Sequence, residues 1–150
     1  MTSSNDFIEL RAGQYRAQIS PFGGGLWSLT FAGKPLVVTP PLPHQGLSRV
    51  SPVPFAAGCL LAPWPNRVDG GNFTFQGETH HLEINESDRR NAIHGFIRER
   101  PWELDPETSD NPAAVCLSLE MEPQPGWPWR LKYVMNWSVD ATQGLGGELL

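Results

Sequence analysis

Two stretches in the last third of the chain alternate apolar and polar residues with a period of two. Between Ala114 and Met121, the residues Val115, Leu117, Leu119 and Met121 fall on one side, while Cys116, Ser118 and Glu120 fall on the other. From Trp129 to Val139 the pattern repeats, with Leu131, Tyr133, Met135, Trp137 and Val139 opposed to Arg130, Lys132, Asn136 and Ser138. Neighbouring side chains of a strand point to opposite faces, so such a run buries one face and leaves the other wet. Helical spacing is sustained nowhere, and 15 Gly and 15 Pro in 150 residues work against long helices. The expectation is an all-β fold, an antiparallel sandwich.

The remaining segments agree. Phe7–Arg11 and Gln14–Ile19 flank Ala12-Gly13, a predicted hairpin turn. Leu26, Trp27, Leu29 and Phe31 predict a strand that turns at Gly33-Lys34-Pro35 into Leu36-Val37-Val38. Thr39–Pro54 is a Pro-rich connection that carries the isolated His44, and Asp105–Pro112 and Glu122–Pro128 read as polar loops. Strands of one type continue on both sides of each loop, so residues 1–150 are expected to form one unit. A net charge of −5 with only two Lys gives no basic surface for phosphate, which excludes nucleic acid as the expected partner. No apolar run reaches the roughly 18 residues of a membrane span, and Met1–Asp6 has no signal-peptide pattern, so a cytoplasmic location is the expectation. In that setting Cys59 and Cys116 are expected as buried free thiols, and the sequons at Asn72, Asn85 and Asn136 carry nothing.

Several motifs invite a functional reading. Gly23-Gly24-Gly25 is followed by a strand pattern and not by the GK[ST] and helix of a phosphate loop, so it reads as a close backbone approach. His80 and His81 are adjacent on a predicted strand and so point apart, which suits surface or edge positions better than one shared metal ion. Glu83, Glu86, Asp88, Glu99 and Glu103 lie in mixed polar runs and read as solvated. No nucleophile–base arrangement of the serine or cysteine hydrolase type can be assembled. Pro63-Trp64-Pro65-Asn66-Arg67 is a loop stiffened by two fixed φ angles. Its Arg67 fork suits either vicinal hydroxyls or a salt bridge to a nearby acid, with Asn66 closing a turn. His94-Gly95 pairs the side chain whose pKa lies nearest neutrality with a residue that lets a ligand approach the backbone.

Taken in order, Gly58-x-x-Leu61-x-Pro63-x-Pro65-Asn66-Arg67-Val68, Gly71-x-Phe73-x-Phe75-x-Gly77, Leu82, Asn85, Ile93-His94-Gly95 and Trp102 resemble the aldose 1-epimerase (galactose mutarotase) family. Gly126-Trp127-Pro128-Trp129-Arg130-Leu131 and Gly144-Leu145 extend the likeness, which runs from about Leu10 to Leu145. The resemblance implies the N-terminal part of a large β-supersandwich that binds a monosaccharide and interconverts its anomers by acid–base ring opening, without metal or other cofactor. It implies Arg67 and Asn66 as sugar-binding residues and His94 as both a binding and a catalytic residue, with Trp64 available to stack on a sugar ring. The family's second catalytic His, in a His-x-Tyr-Phe-like motif, and its general-base Glu have no counterpart before Leu150. The chain is therefore expected to be weak or inactive alone, and its uncovered sheet edges are expected to favour self-association. The alternative is a non-catalytic carbohydrate-binding module that keeps Arg67 and His94.

Overall fold

The computed structural model describes residues 7–38 and 56–150, so the whole Pro-rich connection, with its five prolines and His44, lies outside the described residues. Among the described residues every strand ladder is antiparallel, as the period-two pattern suggests. In the first sheet, β1 (Ile8–Ala12) pairs with β2 (Tyr15–Ile19), placing Leu10 opposite Ala17. The turn is Gly13-Gln14, one residue later than expected. Next come β3 (Leu26–Phe31) and the two-residue β4 (Lys34–Pro35). The strand expected at Leu36–Val38 does not form. Pro35 has no N–H to extend the ladder, Leu36 keeps one bond to Leu29, and Val38 is 93% exposed.

Two short pairs follow. β5 (Arg67–Asp69) pairs with β8 (Asn91–Ile93), and β6 (Asn72–Phe75) with β7 (Glu78–His81). The second large sheet is ordered β12-β11-β10-β9, with β9 at Glu103–Leu104 and β10 at Ala114–Met121. Its centre is β11 (Leu131–Asp140) and its edge is β12 (Gly144–Leu149). Here the period-two reading holds residue by residue: Leu117 sits opposite Met135 and Leu119 opposite Tyr133, and Val115, Leu117, Met121, Tyr133, Met135 and Val139 are buried. Trp129 stands outside the strand.

The two large sheets close on one core, Leu10, Ala17 and Ile19 from the first meeting the β10–β11 face of the second. Leu10, Ile19, Ile97 and Leu117 are fully enclosed, each contributing about 1.5–3 kcal/mol of transfer free energy. Trp137 reaches across from β11 to donate its Nε1–H to the Gly24 carbonyl at 2.8 Å. The Gly23-Gly24-Gly25 run is the close approach that its sequence predicts. A Cβ on Gly23 would stand 2.5 Å from the Arg98 carbonyl oxygen, and one on Gly25 2.4 Å from that of Gly58.

The β6–β7 hairpin lies outside this core and is fastened by rings. Phe73 stacks on His80 at 5.0 Å, and Trp129 meets His80 at 5.0 Å and Trp127 at 5.0 Å. Trp127 continues the contact to Trp64 and Phe96, each at 5.9 Å. His80, on a strand of this two-stranded sheet, is half-buried among aromatic rings at an edge position, whereas His81 is exposed and bonds the Asn72 side chain.

Candidate functional site

The ring ladder ends where the Pro63–Arg67 loop meets the His94-Gly95 corner. A parallel bridge joins Ala62 to Gly95, and the Phe96 amide donates to the Ala62 carbonyl at 2.8 Å. Gly95 has φ 63°, and a Cβ there would sit 1.9 Å from the Ala62 oxygen. Only glycine satisfies both constraints, which explains the His-Gly pair on local grounds.

Asn66 and His94 are both in the left-handed region, with φ 60° and 66°. Asparagine and histidine are among the residues most often found there. The two residues bond reciprocally: the His94 amide donates to the Asn66 carbonyl at 2.9 Å, and the Asn66 amide donates to the imidazole Nδ1 of His94 at 3.2 Å. One residue on, β5 begins, and Arg67 lies opposite Ile93 of β8. Asn85 clamps that partner strand from the other side. Its Nδ2 donates to the Ile93 carbonyl at 2.9 Å, and its Oδ1 accepts from the Ile93 amide at 2.6 Å.

The Arg67 guanidinium is held by Glu86. Its Nε and Nη2 donate to the two carboxylate oxygens at 2.7 Å each, and its Nη1 donates to Asn66 Oδ1 at 3.2 Å. Glu86 also accepts from Asn91 Nδ2 at 3.2 Å, and its backbone bridges to Asn91. This corrects the reading of Glu86 as a solvated carboxylate. Of the two fates open to Arg67, the salt bridge with Asn66 at a turn is realised, and it leaves the second N–H groups of Nη1 and Nη2 for other partners. The Arg67 side chain remains 37% exposed. Hydrogen bonding from Arg67, assisted by Asn91, holds the Glu86 carboxyl down at about 2, and the same pairing raises Arg67. Burial, then the Arg98 and Arg67 charges, lower the His94 pKa against the opposing pull of Glu86.

Asn66, Arg67 and His94 are therefore brought together, as one hydrogen-bonded chain that ends on Glu86. A cleft of about 290 Å³ opens beside them, bounded by Trp64, Asn85, Gly95, Phe96, Arg98 and Gln124. Its size is at the low end of the roughly 300–1,000 Å³ usual for small-molecule sites. Trp64 packs edge-on to Phe96 at 4.8 Å, and its Nε1, like Gln124 Nε2, is buried without a partner among the described residues. Arg98 pairs with Glu99 at 2.9 Å. Sequence reasoning missed Glu86 because it lies 19 residues from Arg67 among other acids. Only the β5–β8 register brings the two within reach.

The chain matches the family description "Aldose 1-epimerase" over residues 6–148. It is 35% identical over 150 residues to the uncharacterized protein YihR of Escherichia coli strain K12, spanning 99% of this chain but 45% of that one. Among solved structures it resembles a galactose mutarotase-like protein of Clostridium acetobutylicum, with a TM-score of 0.78 at 24% identity, covering 94% of this chain and 44% of that one. A galactose 1-epimerase of Lactobacillus acidophilus gives a TM-score of 0.73 at 20% identity over 93% and 41%. At these identities the structural likeness establishes the β fold, and in each case the chain spans less than half of its relative. With the family match covering nearly every residue, the chain belongs to the aldose 1-epimerase family.

Proposed function

We propose that this chain carries the sugar-holding side of an aldose 1-epimerase site, from the N-terminal part of such a protein. In this reading a free monosaccharide lies against the Asn66–Arg67–His94 chain. The free N–H groups of Arg67, with Asn66 beside it, meet ring hydroxyls, and His94 meets the anomeric or ring-oxygen end. Interconversion of anomers needs a base to take the anomeric hydroxyl proton and an acid to protonate the ring oxygen. The ring then opens, the carbonyl carbon turns over, and closure on the other face completes the cycle. The proton-transfer pair is not assigned to Asn66, Arg67 or Glu86, which are locked to one another. With His94 as the one group here placed to donate toward the ring, the chain is expected to bind sugar and to exchange its anomers weakly at most.

The observation that carries this reading is the reciprocal bonding of Asn66 and His94, which fixes two polar groups from distant parts of the sequence at one corner. Prior fixing reduces the ordering cost of binding. Two measurements test it. Galactose or glucose is expected to change the fluorescence of the Trp64–Trp127 cluster, and Arg67→Ala is expected to abolish that change. Polarimetry on fresh α-glucose with the 150-residue chain should show no more than a marginal rate increase. No saturable fluorescence change with any aldose would sink the sugar reading, and mutarotation at a full enzyme's rate would sink the division of labour.

A further inference from the structure

An imidazole has two chemically distinct nitrogens, and the group facing one decides what the other can do. At His94 the decision is made by the main chain. The group 3.2 Å from Nδ1 is the Asn66 amide, which can only donate. Nδ1 must therefore offer its lone pair, and the single proton of the neutral ring resides on Nε2. The Asn66 carbonyl, on the next peptide unit, accepts the His94 N–H at 2.9 Å and holds the two residues side by side with the amide facing the ring. Placing a second proton on the ring would set N–H against N–H across that contact.

We infer that the main-chain amide of Asn66 is a positioning group that fixes His94 as the Nε2–H tautomer, so that His94 meets its ligand as a hydrogen-bond donor and not as a proton acceptor. This deepens the sugar reading and rests on it for the identity of the ligand, but the tautomer itself is a property of the free chain. It fits an acceptor oxygen, such as a ring oxygen or a hydroxyl lone pair, and it disfavours a hydroxyl that must give up its proton at this position. The charged groups around the ring agree: Arg98 and Arg67 oppose a second proton, and Glu86, which favours one, is itself engaged by Arg67.

The test is two-bond ¹⁵N–¹H correlation spectroscopy of the imidazole rings in ¹⁵N-labelled chain at about pH 8, where an ordinary histidine is neutral. His94→Gln assigns the spectrum by removing one of the four histidine patterns. The His94 ring is expected to show a pyrrole-like Nε2 and a pyridine-like Nδ1 in a ratio of roughly ten to one or better, which is what one retained hydrogen bond gives. A pattern with the proton on Nδ1, or equal averaging of the two forms, overturns the inference. Adding galactose then separates the two claims. If the ring is the Nε2–H form and the sugar moves the Nε2 resonance, both stand. If it is the Nε2–H form and no aldose moves it, the tautomer assignment stands and the sugar reading falls.

Discussion

Gly95→Ala adds one methyl group, and its effect can be worked from two separate terms. The first is backbone conformation. At φ 63° an alanine pays the left-handed penalty of roughly 1–2 kcal/mol. The second is contact. The new Cβ would stand 1.9 Å from the Ala62 oxygen and 2.9 Å from Pro63 N, both closer than real Cβ atoms come to backbone. Relieving such overpacking costs roughly 1–3 kcal/mol. Gly77→Ala is the control, because Gly77 has φ 83° with nothing within 4 Å of the added Cβ. It pays the first term alone and shares any gain from a stiffer unfolded chain. Urea unfolding followed by circular dichroism should give about 2–5 kcal/mol for Gly95→Ala and about 1–2 kcal/mol for Gly77→Ala. At about 2–4 °C per kcal/mol for a chain of this size, the first variant melts roughly 4–20 °C lower than the parent. The Ala62 carbonyl that must move also accepts the Phe96 N–H, so the sugar-induced fluorescence change should vanish in Gly95→Ala and persist in Gly77→Ala. Equal destabilisation by the two substitutions would refute the argument that backbone contact, more than the dihedral, reserves this position for glycine.

The core and the ion pair give two further predictions. Leu117→Ala empties a fully enclosed site between β10 and β11 and should cost about 2–5 kcal/mol in urea unfolding, while Leu104→Ala, at a position 39% exposed, should cost well under half as much. The Glu86 carboxyl is depressed from 4.5 to about 2 by Arg67, so its stabilising contribution is complete above 4.5 and is lost as pH falls toward 2. Glu86→Gln should therefore differ most from the parent above pH 4.5, with the gap closing over that window. Because the pair is partly exposed, half-molar salt should shrink the gap. Parallel melting-temperature curves from neutral pH to pH 2 would show that the pair contributes nothing to folding.

The sheets were legible wherever burial is one-sided. In β10 and β11 the alternation names the core residues because a one-residue slip would turn every one of them to water. The same logic fails where strands are too short to hold a pattern. β4, β5, β8 and β9 have two or three residues each, and their pairing is decided by what packs around them. Trp129 was misplaced, and the rings around His80 were not foreseen, for a related reason. Alternation says which side of a strand a ring occupies, but the ring ladder from Phe75 to Trp64 runs between separate segments, and only their relative placement creates it.

The site divides along the same line. Asn66, Arg67 and His94 could be picked from the sequence because their neighbours are distinctive: two prolines stiffen one loop and a glycine follows the histidine. What each side chain does was not legible. Arg67 had two equal fates, and the choice was made by Glu86, one acid among 16, brought opposite it when β5 took its register on β8. The tautomer inferred for His94 likewise turns on a main-chain amide, which sequence cannot single out because every residue but proline has one. Residue type supplied the candidates here, and backbone geometry set their surroundings: an arginine anchored on an acid with two N–H groups left over, and an imidazole with one nitrogen facing a main-chain amide. A site built this way is sensitive to changes that leave Arg67 and His94 untouched, which is why a methyl group on Gly95 is expected to silence it.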